Sequence, residues 1–405
     1  MFDAGSARDG VKPGLMRLTN SLLTQGAGAW DADEIARRME AVGAELDADS
    51  MRDMGWVSVR TLSDKGALDT AVSTLAMVLG RPNFTPDDFE RQRERMLVAL
   101  KRSEESPGSV AQKAFYAEVF DDHPYASYMG GTRESLSALT RDDVMAAYRR
   151  YYVAKNAVVA VVGAVQRDEA EALVERVVVE LASGLPAGEL PQVTPLTTRK
   201  LQQLDFPSTQ THIYVGQPGM RRGDEDYFPL YVGNHVLGGS GLVSLLSEEI
   251  REKRGLSYSV YSYFTPMRRP GVFLMGLHTK NQNAREALRV ATNTVKNFIE
   301  QGPSEQQLEA AKKNLTGGFP LRIASNGQIV EYIAMIGFYD LALDYLDTFT
   351  EKVQAVTAED IREAFSRRLT PELFATVLVG APPGNEPVIA GDPSVGGARD
   401  GRPAD

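Results

Sequence analysis

The chain repeats itself. Thr140-Arg141-Asp142-Asp143-Val144-Met145-Ala146-Ala147-Tyr148 lines up with Thr357-Ala358-Glu359-Asp360-Ile361-Arg362-Glu363-Ala364-Phe365 at a spacing of 217 residues. Without a gap, Val159–Ala164 then falls on Thr376–Ala381. Each copy reads as a capped amphipathic helix, a short connection and an apolar β-branched run of the kind that forms a buried strand. Earlier pieces match in the same order: Gly55-Trp56-Val57-Ser58-Val59 opposite Gly271-Val272-Phe273-Leu274-Met275, Ser73-Thr74-Leu75 opposite Asn293-Thr294-Val295, and Thr85-Pro86-Asp87-Asp88-Phe89 opposite Ser304-Glu305-Gln306-Gln307-Leu308. Matches in register over this span mean one supersecondary unit used twice.

With 405 residues, a prior of roughly 150 residues per domain allows two or three domains; the repeat selects two. Their limits follow from composition. Residues 1–182 form the first unit, a Pro/Gly-punctuated linker covers 183–198, and the second unit runs over 199–381. Residues 382–405 are rich in Pro and Gly with little to bury, and read as a disordered tail.

Within the units, apolar spacing predicts helices around Leu15–Leu22 and Ile35–Val42, then over Lys65–Leu79, Pro86–Glu104 and Ser109–Val119. Trp56–Thr61 alternates like a two-faced strand. The second half predicts a strand over Phe206–Gly216, helices over Tyr227–Leu237 and Leu242–Lys253, and adjacent strands over Ser257–Phe264 and Gly271–Thr279. Strand-rich pieces come in hairpin-like pairs, so the expected class is α+β: two tandem homologous domains, each a mostly antiparallel sheet with helices on one face.

Several chemistries are excluded. Without cysteine there is no disulfide, thiol nucleophile or Cys-ligated metal. A net charge of −10 repels a phosphate backbone, so nucleic acid is a poor partner. No run is long and apolar enough for a membrane span, and the opening Met1-Phe2-Asp3-Ala4-Gly5 does not read as a secretory signal. The histidines His123, His212, His235 and His278 stand apart, none with a second ligand at helical spacing. They read as satisfied structural groups. No Gly-x-Ser-x-Gly elbow anchors a serine triad.

Two features remain. Gly238-Gly239-Ser240-Gly241 precedes a helix and reads either as a backbone-binding turn offering free N–H groups or as a plain helix–helix turn. Just after it, Ile250-Arg251-Glu252-Lys253-Arg254 closes that helix with cations that complement its dipole. Gly255 breaks it, and a strand with Tyr258, Tyr261 and Tyr263 begins. The plain reading is a capped helix entering a sheet edge. The functional one lets Arg251 and Tyr258 donate to one ligand oxygen.

The stretch Arg251-Glu252-Lys253-Arg254-Gly255-Leu256-Ser257-Tyr258 resembles the arginine–tyrosine motif of the insulinase-like M16 metallopeptidases. That family includes mitochondrial processing peptidase, the cytochrome bc1 core proteins and bacterial two-chain peptidases. The glycine turn Gly238–Gly241, the duplicated half, Asp122-His123-Pro124-Tyr125 and Phe2-Asp3-Ala4-Gly5-Ser6-Ala7-Arg8-Asp9 resemble it too. The resemblance implies the LuxS/MPP-like metallohydrolase fold, a substrate-binding role for Gly238, Gly239 and Gly241, and peptides as substrates.

The chain also departs from the family. Active members carry His-x-x-Glu-His on the first helix, where this sequence has Arg17-Leu18-Thr19-Asn20-Ser21. Arg17 and Ser21 replace the zinc histidines, Asn20 the general-base glutamate, and Ala99 falls at the third ligand. A guanidinium cannot give up its proton to a metal and an amide cannot take one from water, so this chain is expected to hold no catalytic zinc. The resemblance then implies a non-catalytic subunit. It lends Arg251 and Tyr258 in trans to a zinc-bearing partner with His-x-x-Glu-His, in a periplasmic or else cytoplasmic setting. The alternative is a structural or peptide-binding protein, like the core proteins, without a peptidase partner; an independently active peptidase would need a further metal site. Family members usually open with a hairpin before Phe2-Asp3-Ala4-Gly5, so the first sheet is expected to lack its first strands.

Overall fold

The computed structural model describes residues 1–382; all of the expected tail except Pro382 lies outside them. The first half holds α1 (Leu15–Leu22), β1 (Gly26–Ala27), β2 (Trp30–Asp31), α2 (Ala32–Glu40), β3 (Glu45–Ser50) and β4 (Gly55–Arg60). It continues with α3 (Lys65–Gly80), α4 (Pro86–Glu104), α5 (Pro107–Phe120), α6 (Arg133–Ala138), α7 (Arg141–Tyr151) and α8 (Arg167–Val178). The second half holds β5 (Lys200–Asp205), β6 (Gln210–Pro218), α9 (Tyr227–Asn234), α10 (Leu245–Ser247), β7 (Ser259–Thr265), β8 (Val272–Lys280) and α11 (Ala284–Gln301). After these come α12 (Glu305–Arg322), α13 (Asn326–Phe338), α14 (Tyr345–Ala355), α15 (Ala358–Arg368) and β9 (Ala375–Gly380).

The repeat is visible in the caps. Thr140 and Thr357 each accept the N–H of the aspartate three residues on, Asp143 and Asp360, whose carboxylates accept the threonine N–H in return. Such a capping box satisfies two amides that helix geometry leaves orphaned. α4 starts the same way, with Thr85 accepting from the Asp88 N–H and Pro86 at the first helical position.

In the second half, five strands form one sheet in the order β5-β9-β6-β8-β7, antiparallel except for the β5–β9 pair. One face packs Ile213, Val215, Phe273, Met275 and Leu277 against α9 and α11–α15. The other face is covered by the first half: α5 lays Ala111, Phe115, Tyr116, Val119 and Phe120 on Val272, Leu274, Ala375, Val377 and Val379. The sheet is therefore clothed on both faces, by its own helices on one side and by its neighbour's on the other. The mixed helix-and-sheet class holds.

The first half differs from the expectation in one segment. Val159–Ala164, the counterpart of β9, is no strand, and Val159 and Val161 are 41% and 37% exposed. All six residues of β9 are buried. The difference is a matter of partners: β9 lies between β5 and β6, whereas the first half has the separate β1–β2 and β3–β4 pairs, with single bridges from Phe2 to Gly55 and to Ala157. An apolar run with no ladder to join has nothing to fix it as a strand.

Two further boundaries shift. The predicted Phe206–Gly216 strand is Gln210–Pro218, because Phe206–Ser208 turns the chain out of β5, a strand too polar to register as one. The predicted Leu242–Lys253 helix is broken into a 3₁₀ turn at Gly241–Val243, α10 and a π-turn at Glu248–Glu252. The linker has no regular element, yet it is tied down: Leu190 is buried in the shared core, and the His123 ring meets the Pro191 carbonyl at 3.1 Å.

Candidate functional site

Two places correspond to the site residues read from the sequence, one in each half. The first is α1. The helix starts at Gly14, whose φ of +92° suits glycine. Ahead of it the buried Asp9 carboxylate accepts the N–H groups of Gly14 (2.8 Å) and Met16 (2.7 Å). Burial raises the Asp9 pKa to about 7 against the opposing pull of those two N–H donors.

Arg17 and Ser21 occupy i and i+4 on this helix, the spacing that sets two ligands on one face. Arg17 is exposed and Ser21 half-buried, and the Ser21 hydroxyl donates to Leu18 O at 2.9 Å. Asn20 is buried; its amide N–H₂ lies 3.1 Å from the Tyr152 hydroxyl and 3.3 Å from Trp56 O, while its Oδ1 has no partner among the described residues. Ala99 sits exposed on α4. Among the described residues no three His, Asp or Glu side chains converge. A zinc ion asks for neutral imidazoles or carboxylates, and this set offers a cation, a committed hydroxyl and an amide. The residues do not fit the metal.

The second place is the turn from the π-turn into β7. Gly255 adopts φ +61°, the left-handed region, and its N–H returns to Arg251 O at 3.0 Å while Leu256 N–H reaches Ile250 O at 2.9 Å. These are helix-closing bonds of the type a glycine stop supplies. The next two residues are anchored: Ser257 Oγ donates to His278 O at 2.6 Å, and Thr279 Oγ1 donates to Leu256 O. Tyr258 follows at 87% exposure, its hydroxyl without a hydrogen-bond partner among the described residues.

Around it the cations divide. Lys253 pairs with Glu248 (2.8 Å) and Glu249 (2.6 Å), and Arg254 with Glu249 (2.6 Å). Arg251 is half-buried and has no carboxylate within 4.0 Å among the described residues. The turn thus presents one uncommitted guanidinium before Gly255 and one uncommitted phenol after it. Both are donors for an oxygen ligand.

The glycines before it are not equivalent. Gly238 is buried in a second π-turn, His235–Gly239, that continues α9, and a Cβ there would lie 2.3 Å from Ser262 Oγ and 2.5 Å from Ser262 N, so its bareness lets that turn press on β7. Asn234 fixes the same contact by donating to Ser262 O (2.9 Å) and accepting from Ser262 Oγ (2.7 Å). Gly239 and Gly241 remain exposed. Leu242 and Val243, which carry no motif that would mark them in the sequence, are 62% and 85% exposed next to them. The β7 edge that continues from Tyr258 carries Tyr261 and Tyr263 stacked at 5.9 Å.

His235 opens the turn that holds Gly238, and the other three histidines lie elsewhere. His212 and His278 stack across β6 and β8 with ring centroids 5.4 Å apart, and burial, with its neighbour His278, holds the His212 pKa below the ordinary value. His123 accepts the Tyr125 N–H at 3.1 Å.

A family profile described as "Insulinase (Peptidase family M16)" matches residues 1–133, and one described as "Peptidase M16 inactive domain" matches 138–315. A crystal structure of a peptidase M16 inactive domain from Pseudomonas fluorescens superposes with a TM-score of 0.92 at 33% identity, covering 95% of this chain and 93% of that one. An uncharacterized zinc protease of Streptomyces coelicolor is 26% identical over 348 residues, 84% of this chain and 75% of its own. A Helicobacter pylori protein described as a non-peptidase homolog is 27% identical over 363 residues, 89% of this chain and 82% of its own.

Proposed function

Because the chain belongs to the M16 peptidase family, we propose that it is the non-catalytic subunit of a two-chain zinc peptidase and supplies Arg251 and Tyr258 in trans. The observation that carries this reading is the contrast between its two halves. The metal positions on α1 hold Arg17, Asn20 and Ser21, and Asn20 is folded into the interior. The Arg251–Tyr258 turn is instead built from internal hydrogen bonds that leave both donors free.

In the assembled pair the guanidinium and phenol hold the scissile peptide carbonyl. They donate to its oxygen as charge develops there in the transition state. A zinc ion in the partner, held by its His-x-x-Glu-His helix, would supply the activated water; this chain contributes no ligand to it. Gly239 and Gly241 offer backbone groups to the same extended peptide, which could also add along β7 by main-chain pairing. The resemblance to bacterial two-chain peptidases supports a periplasmic place of action.

The test is reconstitution with an M16 chain that carries His-x-x-Glu-His. Arg251→Ala and Tyr258→Phe should each lower peptide hydrolysis by the pair on the order of 10²-fold or more, with pairing intact. Full activity of both variants would overturn the in-trans role. Failure of any such chain to associate would favour the core-protein-like reading.

A further inference from the structure

The second half holds a cavity of about 460 Å³ between α11 and the start of β9. Its volume is in the range of small-molecule sites. It opens beside Arg199, just ahead of β5, whereas Tyr258 just precedes β7, and β5 and β7 are opposite edges of the five-stranded sheet. Strand spacings of about 4.8 Å put roughly 19 Å between those edges.

The wall of the cavity is cationic, in a chain whose net charge is −10. Arg285 and Arg289 stand one turn apart on α11 and Lys296 two turns beyond, all lining the cavity, and Arg199 lines it from the strand edge. Glu372 is the one carboxylate in the lining, and it pairs with Lys296 at 2.6 Å. Arg289 meets Glu286 only at 3.8 Å. Arg199 and Arg285 have no carboxylate within 4.0 Å among the described residues. Gathered guanidiniums without counter-ions repel one another, and an anion between them removes that cost.

The floor is different. Val215, Leu288 and Phe374 make it apolar, and among them stands Thr376, 2% exposed. Its cross-strand neighbours are Leu201 and Val215, neither with a polar side chain, and its hydroxyl has no hydrogen-bond partner among the described residues. An unpaired buried hydroxyl weakens a fold, so it calls for a partner from outside.

The repeat supplies the comparison. In the first half Val159 stands at the place of Thr376, Asp69 at that of Arg289 and Ala76 at that of Lys296. Asp69 there is taken up by Arg176 of α8 at 2.8 Å. The duplicated architecture therefore requires neither the hydroxyl nor the cations, which belong to the second half.

We propose that this cavity binds a phosphate monoester whose body is apolar or aromatic. A phosphoryl head has three terminal oxygens and close to two negative charges near neutral pH, and the forks of Arg199, Arg285 and Arg289 match it from two sides. A carboxylate, with two oxygens and one charge, leaves one fork idle. The body lies on Val215, Leu288 and Phe374, and the Thr376 hydroxyl donates to the oxygen that joins head to body. The site is independent of the role given to Arg251 and Tyr258, and its test needs no peptidase partner.

Calorimetric titration of the full chain with phenyl phosphate at low salt tests this. Saturable binding of one molecule per chain is expected, tighter than that of inorganic phosphate or of phenol. Arg285→Gln combined with Arg289→Gln, both at exposed positions, should weaken it by about tenfold or more. Thr376→Val, which installs the residue of the first half, should weaken it by about fivefold or more and leave the ligand-free Tm unchanged or higher. Thr376→Ser keeps the hydroxyl and should bind as the parent does, which separates loss of the bond from loss of the fold. Adenosine monophosphate and dihexanoyl phosphatidic acid carry the same head on different bodies, and the tighter of the two tells a nucleotide source from a lipid one. Phenyl phosphate bound no more tightly than inorganic phosphate would overturn the proposal. So would undiminished binding by the arginine pair variant or by a folded Thr376→Val protein.

Discussion

The carboxylate of Asp53, in the first half, accepts the hydroxyl of Tyr339, in the second, at 2.9 Å. The same carboxylate takes the Tyr125 hydroxyl at 2.6 Å and the Arg268 N–H at 2.7 Å. Tyr125 in turn accepts the Arg269 N–H at 3.1 Å. A buried carboxylate met by three donors is a strong join between domains that also meet through apolar surface and through the Asp3–Arg268, Glu118–Lys200 and Asp121–Lys200 ion pairs.

Asp53→Asn turns one acceptor edge into a donor facing donors. Folding stability should fall by about 1–3 kcal/mol, measured by urea unfolding, and proteolytic cutting within 183–198 should quicken as the halves separate. Unchanged cutting and unfolding would remove Asp53 from this role.

Gly238→Ala forces a Cβ against the β7 backbone at Ser262. A cost of about 1–3 kcal/mol is expected, with faster amide exchange in β7. Gly241→Ala meets no atom within 4 Å and pays only for its φ of +64°, about 1–2 kcal/mol, leaving β7 exchange as it was.

Asp9 gives a pH signature. Its folded pKa, raised by burial to about 7, exceeds the unfolded value of 3.8, so folding favours the protonated form. The associated stability is complete below the unfolded value and is lost as pH rises through about 7. Subtracting the Asp9→Asn unfolding curve from that of the parent protein should reveal this decline between about pH 4 and pH 7. A flat difference would show that the two N–H bonds offset burial in full, and a rise that they outweigh it.

The α1 positions predict indifference to metal. Purified chain dialysed against zinc should carry much less than one ion per chain by elemental analysis, and a chelator should leave Tm unchanged. Stoichiometric zinc would require ligands other than Arg17, Asn20, Ser21 and Ala99, and would reopen the independently active reading.

The helices that begin with a Thr, Ser or Asp cap and run on apolar spacing are legible in the amino-acid sequence, α4 at both ends and α3 within one residue. So is the duplication, because a cap three residues before its aspartate is local chemistry. The loss of the metal set at Arg17, Asn20 and Ser21 is legible for the same reason: residue type alone forbids the ligation. β3 and β5 leave no such mark, because the open face of Glu45–Ser50 is acidic and that of Lys200–Asp205 mixes Leu201 with Gln203 and Asp205, and their strand character comes from pairing.

Residue order along the chain is thus sufficient for everything that depends on neighbours a few positions away: caps, helix faces, the glycine stop at 255, the missing imidazoles. Packing between distant segments is what makes Val377 core while Val159–Ala164, of matching composition, is exposed; it also explains why Gly238 must be bare to meet β7, and why Asp53 joins the halves. Burial and ladder pairing are contributed by residues far along the chain, and a segment of fixed sequence becomes a strand or a surface according to whether those partners arrive.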